Sequence, residues 1–215
     1  MKNSAQQPVV VYAHGWATSN QFFSPLREQL GFCDSRFFGR DYFHTSCTEN
    51  VSASQVGELA RWIGIGHSLG FYRLAQVDLS HCVGLVSIGG FREFCSESGT
   101  DPRIIRRMIR QLDSNAQTVL EEFVRKSNLV PFACHSQAHI ELLKNDLISL
   151  SRSDLGEIPV PVLALAGKSD QIVPRTLVQL QFENPIFHLT AGHELGWSNA
   201  QWCAKQIRCA FLSNE

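Results

Sequence analysis

The chain has 215 residues, which suits one domain with a substantial buried core. Hydrophobic residues make up 44% and charged residues 18% of the chain, a composition that argues against intrinsic disorder. The formal net charge of −1 gives no global reason to expect a nucleic acid or an acidic membrane as partner, so a charge-based partner would have to bind a local patch.

The sequence has no feature of a secreted or membrane protein. Its seven cysteines are scattered and odd in number, which favours reduced thiols over a disulfide framework or a zinc site. The polar residues 1–7 lead directly into an apolar run, so we expect no signal peptide. No apolar run approaches the roughly 18 residues that a membrane helix needs. We therefore expect a cytoplasmic monomer that binds neither membranes nor nucleic acids.

Short apolar runs that end at glycine predict the strands of a parallel sheet. Continuous apolar strands separated by helices are typical of a sheet that is covered on both faces. In chain order these runs are residues 9–13, 62–65, 82–88, 160–166 and 186–190. A further strand is predicted at residues 36–43, where charged residues interrupt the pattern.

Helical patterns fill the intervals between these strands. Four of them, at residues 20–30, 52–60, 71–76 and 199–212, are expected to flank the sheet. Three more lie consecutively between two sheet strands, at residues 102–112, 115–126 and 136–150. We predict an α/β core of residues 1–90 and 156–215, with a helical lid at 91–155 over the carboxyl ends of the strands, where ligands bind in such sheets. The alternative is that these helices only add packing surface.

One five-residue motif indicates nucleophilic catalysis. Gly66-His67-Ser68-Leu69-Gly70 fits the pattern G-x-S-x-G and lies between a predicted strand and a helical pattern. The chemistry needs a serine oxygen that stands free on a sharp turn, and the two glycines let strand and helix approach closely around it. Ser68 is therefore the candidate nucleophile.

Serine is a weak nucleophile unless a base takes its proton and a third group orients the base. Asp170 follows the predicted strand 160–166, and His193 follows the predicted strand 186–190. Ser, Asp and His occur in this order in one large hydrolase fold. Taken singly, Asp170 could be a turn residue and His193 a core histidine. Together with Ser68 they predict a catalytic triad at the carboxyl ends of three strands.

Acyl transfer also requires N–H donors that point at the developing oxyanion. The backbone N–H of Leu69, which follows the nucleophile, is one candidate. The second is the backbone N–H of Trp16, in the loop after the first strand, where Gly15 permits a tight turn. The indole ring of Trp16 could pack in the core while its backbone donates.

The remaining histidines do not predict a metal site. His67 lies inside the motif of the nucleophile and is expected to pack rather than to react. No glutamate of the HExxH type lies between His135 and His139, the one pair with helical spacing. We expect neither a metal nor another cofactor, and no ligand spacing is found among His44, His81, His135, His139 and His188.

Together these motifs resemble those of the α/β-hydrolase superfamily, and the resemblance runs from Val9 nearly to the carboxyl terminus. More narrowly, the chain is similar to the pimeloyl-acyl-carrier-protein methyl ester esterases of biotin synthesis. The residues that carry this narrower resemblance are His14-Gly15-Trp16, Gly90-Phe91-Arg92, the stretch 107–123 and Val173-Pro174-Arg175.

The resemblance implies hydrolysis of a methyl ester on an acyl chain held by a carrier protein, with arginines of the lid binding the acidic carrier. Four arginines at helical spacing share one predicted helix face, and no acidic residue between Asp101 and Asp113 balances them. These candidate docking residues are Arg103, Arg106, Arg107 and Arg110. The alternative is an ordinary solvated helix face.

Two residues depart from the pattern of that family. Phe71 stands where a second glycine often follows the nucleophile, and Glu194 follows the base where a small or apolar residue is more usual. Both departures leave the substrate open. A general short-chain carboxylesterase or thioesterase is the second hypothesis, and a binding module that keeps the three residues only as a ligand pocket is the third.

Overall fold

The structure is a computed structural model that describes residues 7–31, 34–43, 50–129 and 138–211. Within these residues six strands form one sheet in the order β2-β1-β3-β4-β5-β6, and all neighbouring strands are parallel. The predicted parallel α/β architecture is therefore confirmed. The strands are β1 (Val9–Ala13), β2 (Ser35–Phe37), β3 (Trp62–His67), β4 (Cys82–Ile88), β5 (Val162–Gly167) and β6 (Ile186–His188).

Helices cover the sheet, and none that the structure describes has both the length and the apolar character needed to cross a membrane. A short 3-10 helix, Asn20–Phe23, leads into the first α-helix. The α-helices are α1 (Ser24–Leu30), α2 (Ala53–Gly57), α3 (Leu69–Leu74), α4 (Pro102–Ser127), α5 (Ile140–Ser151), α6 (Arg175–Gln181), α7 (Leu195–Ser198) and α8 (Ala200–Phe211).

The middle of the sheet is buried on both faces, which explains its continuous apolar runs. All six residues of β3 are buried, and so are four of the five residues of β1. Side chains of a strand point alternately to opposite faces, so both faces of these strands must be covered. This core fixes where the strands end along the sheet, and hence where the loops that follow them begin.

Three predicted strands were too long, and the one predicted at 186–190 ends at His188. The strand predicted at 36–43 ends at Phe37, because the Arg40 N–H bonds to the His14 ring (2.8 Å) and no longer to the sheet. The strand predicted from residue 160 begins at Val162, after Pro161, whose nitrogen carries no hydrogen for the ladder. These differences move strand ends by a few residues and leave the topology unchanged.

The two helices predicted at 102–112 and 115–126 are the halves of α4. The backbone leaves helical geometry at Asn115 (φ −156°, ψ 65°), and the Asn115 side chain accepts the Thr118 N–H (3.3 Å), as an N-terminal cap does. The helix predicted at 136–150 begins at Ile140 in the structure, and its predicted first residues, 136 and 137, lie outside the described residues.

The described parts of residues 91–155 contain α4 and α5 and no strand. Their two ends meet, because Arg92 and Leu155 form a backbone hydrogen bond of 3.1 Å. The Arg92 guanidinium also donates to the carbonyl oxygens of Leu155 (3.1 Å) and Gly156 (2.5 Å). This helical segment, residues 91–155, therefore leaves the sheet after β4 and returns to it before β5 at one point.

Candidate active site

Ser68 lies on the turn between β3 and α3 in a left-handed backbone conformation (φ 52°, ψ −124°). The two flanking glycines make this turn possible. A Cβ on Gly66 would lie 2.2 Å from the Phe71 Cα, and a Cβ on Gly70 would lie 1.9 Å from the Ala13 carbonyl oxygen. No side chain fits at either glycine, so strand and helix hold the strained serine between them.

His193 is held by Asp170 in a buried pair. The His193 Nδ1 lies 2.8 Å from the Asp170 Oδ2, and both side chains are fully buried. The other carboxylate oxygen of Asp170 accepts the backbone N–H groups of Ile172 and Val173, each at 2.8 Å. The carboxylate is thus fixed from both sides and accepts a hydrogen bond from Nδ1–H, and in a neutral ring of this tautomer Nε2 carries no proton.

The Nε2 of His193 is buried and has no hydrogen-bond partner among the described residues. The bond from the Ser68 hydroxyl is therefore not formed in this structure, and such bonds are often long in ligand-free enzymes. The turn of Ser68 nevertheless packs against the loop of His193, because the ring of His67, the residue before Ser68, lies 4.6 Å from the His193 ring. A buried imidazole with one nitrogen free of a hydrogen bond is what abstraction of a proton from Ser68 would need.

His67 connects the turn of Ser68 to the loop of His193. It packs against the ring of Phe22 (4.0 Å between centroids), and its Nε2 donates to the His193 carbonyl oxygen (3.0 Å). Burial, reinforced by the neighbouring His193 ring, holds the pKa of His67 well below its usual range. His67 therefore packs, as expected, but its bond to His193 joins residues 126 apart, and no local sequence signal indicates it.

The backbone N–H groups of Trp16 and Leu69 donate no hydrogen bond within the part of the chain that the structure describes. The loop of Trp16 lies directly against Ser68, since a Cβ on Gly15 would come 2.9 Å from the Ser68 Cβ. Leu69 is the first residue of α3, where helical N–H groups lack partners. One unbonded donor thus follows Ser68 in the chain, and the other belongs to a loop that packs against Ser68.

The side chains of Thr18 and His14 fix the peptide between Gly15 and Trp16. The Gly15 oxygen lies 2.8 Å from the Thr18 hydroxyl and 2.9 Å from the His14 Nδ1, while the His14 Nε2 lies 2.8 Å from the Arg40 nitrogen. Burial lowers the pKa of His14 to about 4, so the ring is neutral at neutral pH. In a neutral ring, Nδ1–H donates to Gly15 and Nε2 accepts from Arg40, which satisfies both nitrogens.

A cavity of about 160 Å³ opens above Ser68, between the sheet and the helical segment. Both halves of α4 line it, and Trp16 and Phe123 meet edge to face in its wall (4.9 Å between centroids). Its apolar walls also include Phe94, Ile105, Met108, Val119, Leu147, Leu150 and Ile172.

All four arginines of the predicted docking face are exposed, and none forms an ion pair within the described residues. Arg107 also lines the cavity, so it lies at the boundary between the cationic face and the pocket. The opposite face of the first half of α4 is buried at Ile105 and Leu112, whereas Ile104 is 42% exposed beside the cavity.

The two departures from the family pattern are accommodated away from the cavity. The Phe71 ring is fully buried against Phe182 (5.5 Å), and Gly90 leaves it room, because a Cβ there would lie 2.9 Å from the Phe71 Cβ. Glu194 is buried and accepts the Gly192 N–H (3.2 Å). Neither side chain lines the cavity, so each supports the backbone around the site.

Within the described ranges, no cluster of three or more His, Cys, Asp or Glu side chains could hold a metal ion. Cys82, Cys95, Cys203 and Cys209 are free thiols there. Three further cysteines and two further histidines lie outside the described residues, namely Cys33, Cys47, Cys134, His44 and His135.

The parallel sheet, the strained serine turn after β3 and the loops that carry Asp170 and His193 define the α/β-hydrolase fold. Two solved structures share it: an esterase from Exiguobacterium antarcticum (18% identity, TM-score 0.77, covering 96% of this chain and 92% of that one) and the enol-lactonase from Burkholderia xenovorans LB400 (15% identity, TM-score 0.71, covering 99% and 94%).

Among curated proteins, the chain is similar to the pimeloyl-[acyl-carrier protein] methyl ester esterase of Salmonella heidelberg. The two are 26% identical over 236 aligned positions, which cover 95% of this chain and 88% of the relative. No protein-family model matches the chain.

His14 should make the fold sensitive to acid. Its pKa is about 4 in the folded protein, against an ordinary value of 6.5, so between these values only the unfolded chain takes up the proton. The stabilisation is therefore present above pH 6.5 and is lost as the pH falls toward 4. We expect the free energy of unfolding to drop by about 2 kcal/mol between pH 7.5 and 5 through this residue.

Urea unfolding at both pH values, compared between the wild type and His14→Asn, measures this contribution. The variant should lose about 2 kcal/mol less than the wild type over the same pH interval. Equal losses in the two proteins would show that His14 is not the group responsible.

Proposed function

We propose that the chain is a serine hydrolase that cleaves carboxylic esters, with Ser68 as nucleophile, His193 as base and Asp170 as the residue that orients the base. The observation that carries the proposal is the buried His193–Asp170 pair, at 2.8 Å, beside a serine on a strained turn. The carboxylate holds Nδ1–H, and the unbonded Nε2 is left to take a proton. Such pairing is how a neutral serine becomes nucleophilic.

In this mechanism Ser68 Oγ attacks the ester carbonyl carbon while His193 Nε2 takes the hydroxyl proton. The N–H groups of Trp16 and Leu69 stabilise the oxyanion that forms. His193 then gives its proton to the leaving alcohol, and the acyl group stays on Ser68. A water molecule, deprotonated by His193, attacks this acyl-enzyme and releases the acid and the free serine.

The proteins to which the chain is similar support this reaction class. The relative from Salmonella heidelberg is named as a methyl ester esterase, and the fold neighbour from Exiguobacterium antarcticum is an esterase. Both comparisons cover nearly the whole chain. An ester hydrolase is therefore favoured over a binding module, which has no chemical need for a buried Asp–His pair next to a strained serine.

The helical segment 91–155 is proposed to act as a lid. Both halves of α4, together with α5, enclose the cavity above Ser68 on the side away from the sheet. The segment is joined to the core at Arg92 and Leu155, so its helices extend over the site from a fixed base. A lid of this kind excludes water and shapes the acyl pocket.

As substrate we propose the methyl ester of a pimeloyl chain carried by acyl-carrier protein, an ester that belongs to biotin synthesis. The name of the Salmonella relative supports this choice. The exposed, unpaired arginines on α4 support it independently, because an anionic carrier is best met by several cations fixed on one face. Arg107 adds a cation at the point where that face meets the cavity.

A second candidate is a short-chain carboxylesterase or thioesterase that acts on small free substrates. The size of the cavity favours it, since about 160 Å³ is small beside the roughly 300–1,000 Å³ of most small-molecule sites. The two candidates share the catalytic residues and differ in whether α4 contributes to binding.

Ser68→Ala should abolish ester hydrolysis and leave the protein folded. Loss of a triad serine typically lowers turnover by about 10⁶-fold, and alanine fits the small space at the turn. Hydrolysis of p-nitrophenyl acetate and labelling by a fluorophosphonate probe measure the change, with circular dichroism as the control for folding. Labelling of the variant at the wild-type rate would contradict the assignment of the nucleophile.

Asp170→Asn should lower kcat on the order of 10⁴-fold, because an amide in place of the carboxylate favours the wrong tautomer of His193. The matched control is Asp154→Asn, an exposed aspartate at the end of the helical segment, which should leave kcat unchanged. A rate within a few-fold of the wild type in Asp170→Asn would mean that another group orients the base.

Replacing Arg106 or Arg110 by glutamate should raise KM for a carrier-linked methyl ester and leave the hydrolysis of a small free ester unchanged. Exposed charges act mainly on association and are screened by salt, so the wild-type efficiency on the carrier-linked ester should fall as salt rises. Lys205→Glu, an exposed charge reversal on α8, is the matched control. Equal effects on both substrates would favour the short-chain carboxylesterase.

A further inference from the structure

The side chain of Trp16 connects the proposed oxyanion loop to the helical segment. Its indole N–H donates to the carbonyl oxygen of Leu143 in α5, at 2.9 Å, and the residue is 2% exposed. The bond spans 127 positions of the chain. Because the backbone N–H of the same residue is a proposed oxyanion donor, a displacement of α5 acts directly on the donor residue.

Asp146, one turn further along α5, makes a second link to the core. Its carboxylate is 2% exposed and accepts hydrogen bonds from the Arg40 guanidinium (2.8 Å) and the Tyr42 hydroxyl (2.5 Å). The Tyr42 carbonyl oxygen accepts the backbone N–H of His139, just before α5 (2.7 Å). Residues 40–42 are thus bound to α5 through a buried carboxylate, a phenol and the backbone.

The second link ends at the backbone of the residue whose side chain makes the first link. Arg40, which binds Asp146 through its side chain, donates its backbone N–H to His14, and His14 in turn bonds the Gly15 oxygen. The Gly15 oxygen and the Trp16 N–H belong to one peptide unit. In a trans peptide they point in opposite directions, so a bond that fixes the oxygen also fixes the direction of the N–H.

We propose that α5 positions the oxyanion donor: Leu143 holds the Trp16 side chain, and Asp146 holds its peptide through Arg40 and His14. This inference rests on the proposed function, in which the Trp16 N–H stabilises the oxyanion. Leu143 and Asp146 touch no reacting atom, so they are positioning residues. The helical segment is then part of the catalytic geometry as well as a cover for the cavity.

The proposal predicts a specific kinetic effect. An oxyanion donor must lie within about 2.7–3.1 Å of the oxygen, and removing one outright costs about 10²–10³-fold in kcat. A donor that is displaced but still present should cost less, about 10-fold. Since the oxyanion exists only after attack on the carbonyl, kcat should fall while KM for a small ester stays within about two-fold.

The test uses Trp16→Phe, which removes the indole N–H together with the five-membered part of the ring, and Asp146→Asn, which keeps the size of the side chain. Tyr42→Phe is a milder third variant that breaks one of the two bonds to Asp146. Asn145→Lys is the matched control, because it changes the net charge as Asp146→Asn does, at an exposed position of the same helix. Each full-length variant is assayed for kcat and KM on p-nitrophenyl acetate, after circular dichroism has established that it is folded.

The affinity for phenylboronic acid is a second measurement, and a purely structural role of these residues would leave it unchanged. Phenylboronic acid forms a tetrahedral adduct with an activated serine, and the oxygen of that adduct needs the same donors as the transition state. We expect kcat and boronate affinity to fall together, about 10-fold in Trp16→Phe and Asp146→Asn and less in Tyr42→Phe. The Asn145→Lys control should match the wild type.

Unchanged kcat and boronate affinity in the folded Trp16→Phe and Asp146→Asn variants would overturn the inference, as would a rise in KM without a fall in kcat. Neither result touches the proposed function, which depends on whether the wild type hydrolyses the ester and Ser68→Ala does not. A failure of the inference and a failure of the proposed function are thus distinguishable in one set of assays.

Discussion

The close approach of β1, β3 and α3 is the constraint on which the site depends. Gly66 and Gly70 bring backbone to backbone at distances that leave no room for a Cβ, and this contact holds Ser68 at a positive φ. Because the strands are parallel, the loops after β1, β5 and β6 open on the same edge of the sheet as that turn. Residues far apart in the sequence therefore meet above it without any strand having to bend.

Three buried histidines, His14, His67 and His193, lie close together and make different hydrogen bonds. His14 and His67 have lowered pKa values, so each is neutral and serves as a fixed hydrogen-bonding group for a backbone carbonyl. His193 differs from them because Asp170 lies against its Nδ1. In the proposed mechanism, a positive charge that develops on His193 would have a carboxylate on one side and the neutral ring of His67, rather than a second cation, on the other.

Much of this arrangement could be predicted from the sequence, because it depends on local patterns. The bounds of β1 and β4 agree with the apolar runs, and the loop that carries Asp170 follows from Gly167, where β5 ends. The rest depends on contacts between distant residues. The Arg40 N–H bonds to His14 and ends a predicted strand early, and a break at Asn115 brings both halves of α4 to the cavity. No local pattern encodes such pairings.

The meeting of the two ends of the helical segment at Arg92 has an evolutionary consequence. A chain that leaves and re-enters a sheet at one point can gain or lose residues between those ends without shifting the register of any strand. Lineages with this fold can therefore exchange or remodel the segment as a cassette while the serine turn stays intact. The bonds from α5 to residues 16 and 40 limit that freedom, because a replacement cassette must again supply a carbonyl and a carboxylate at the same two places.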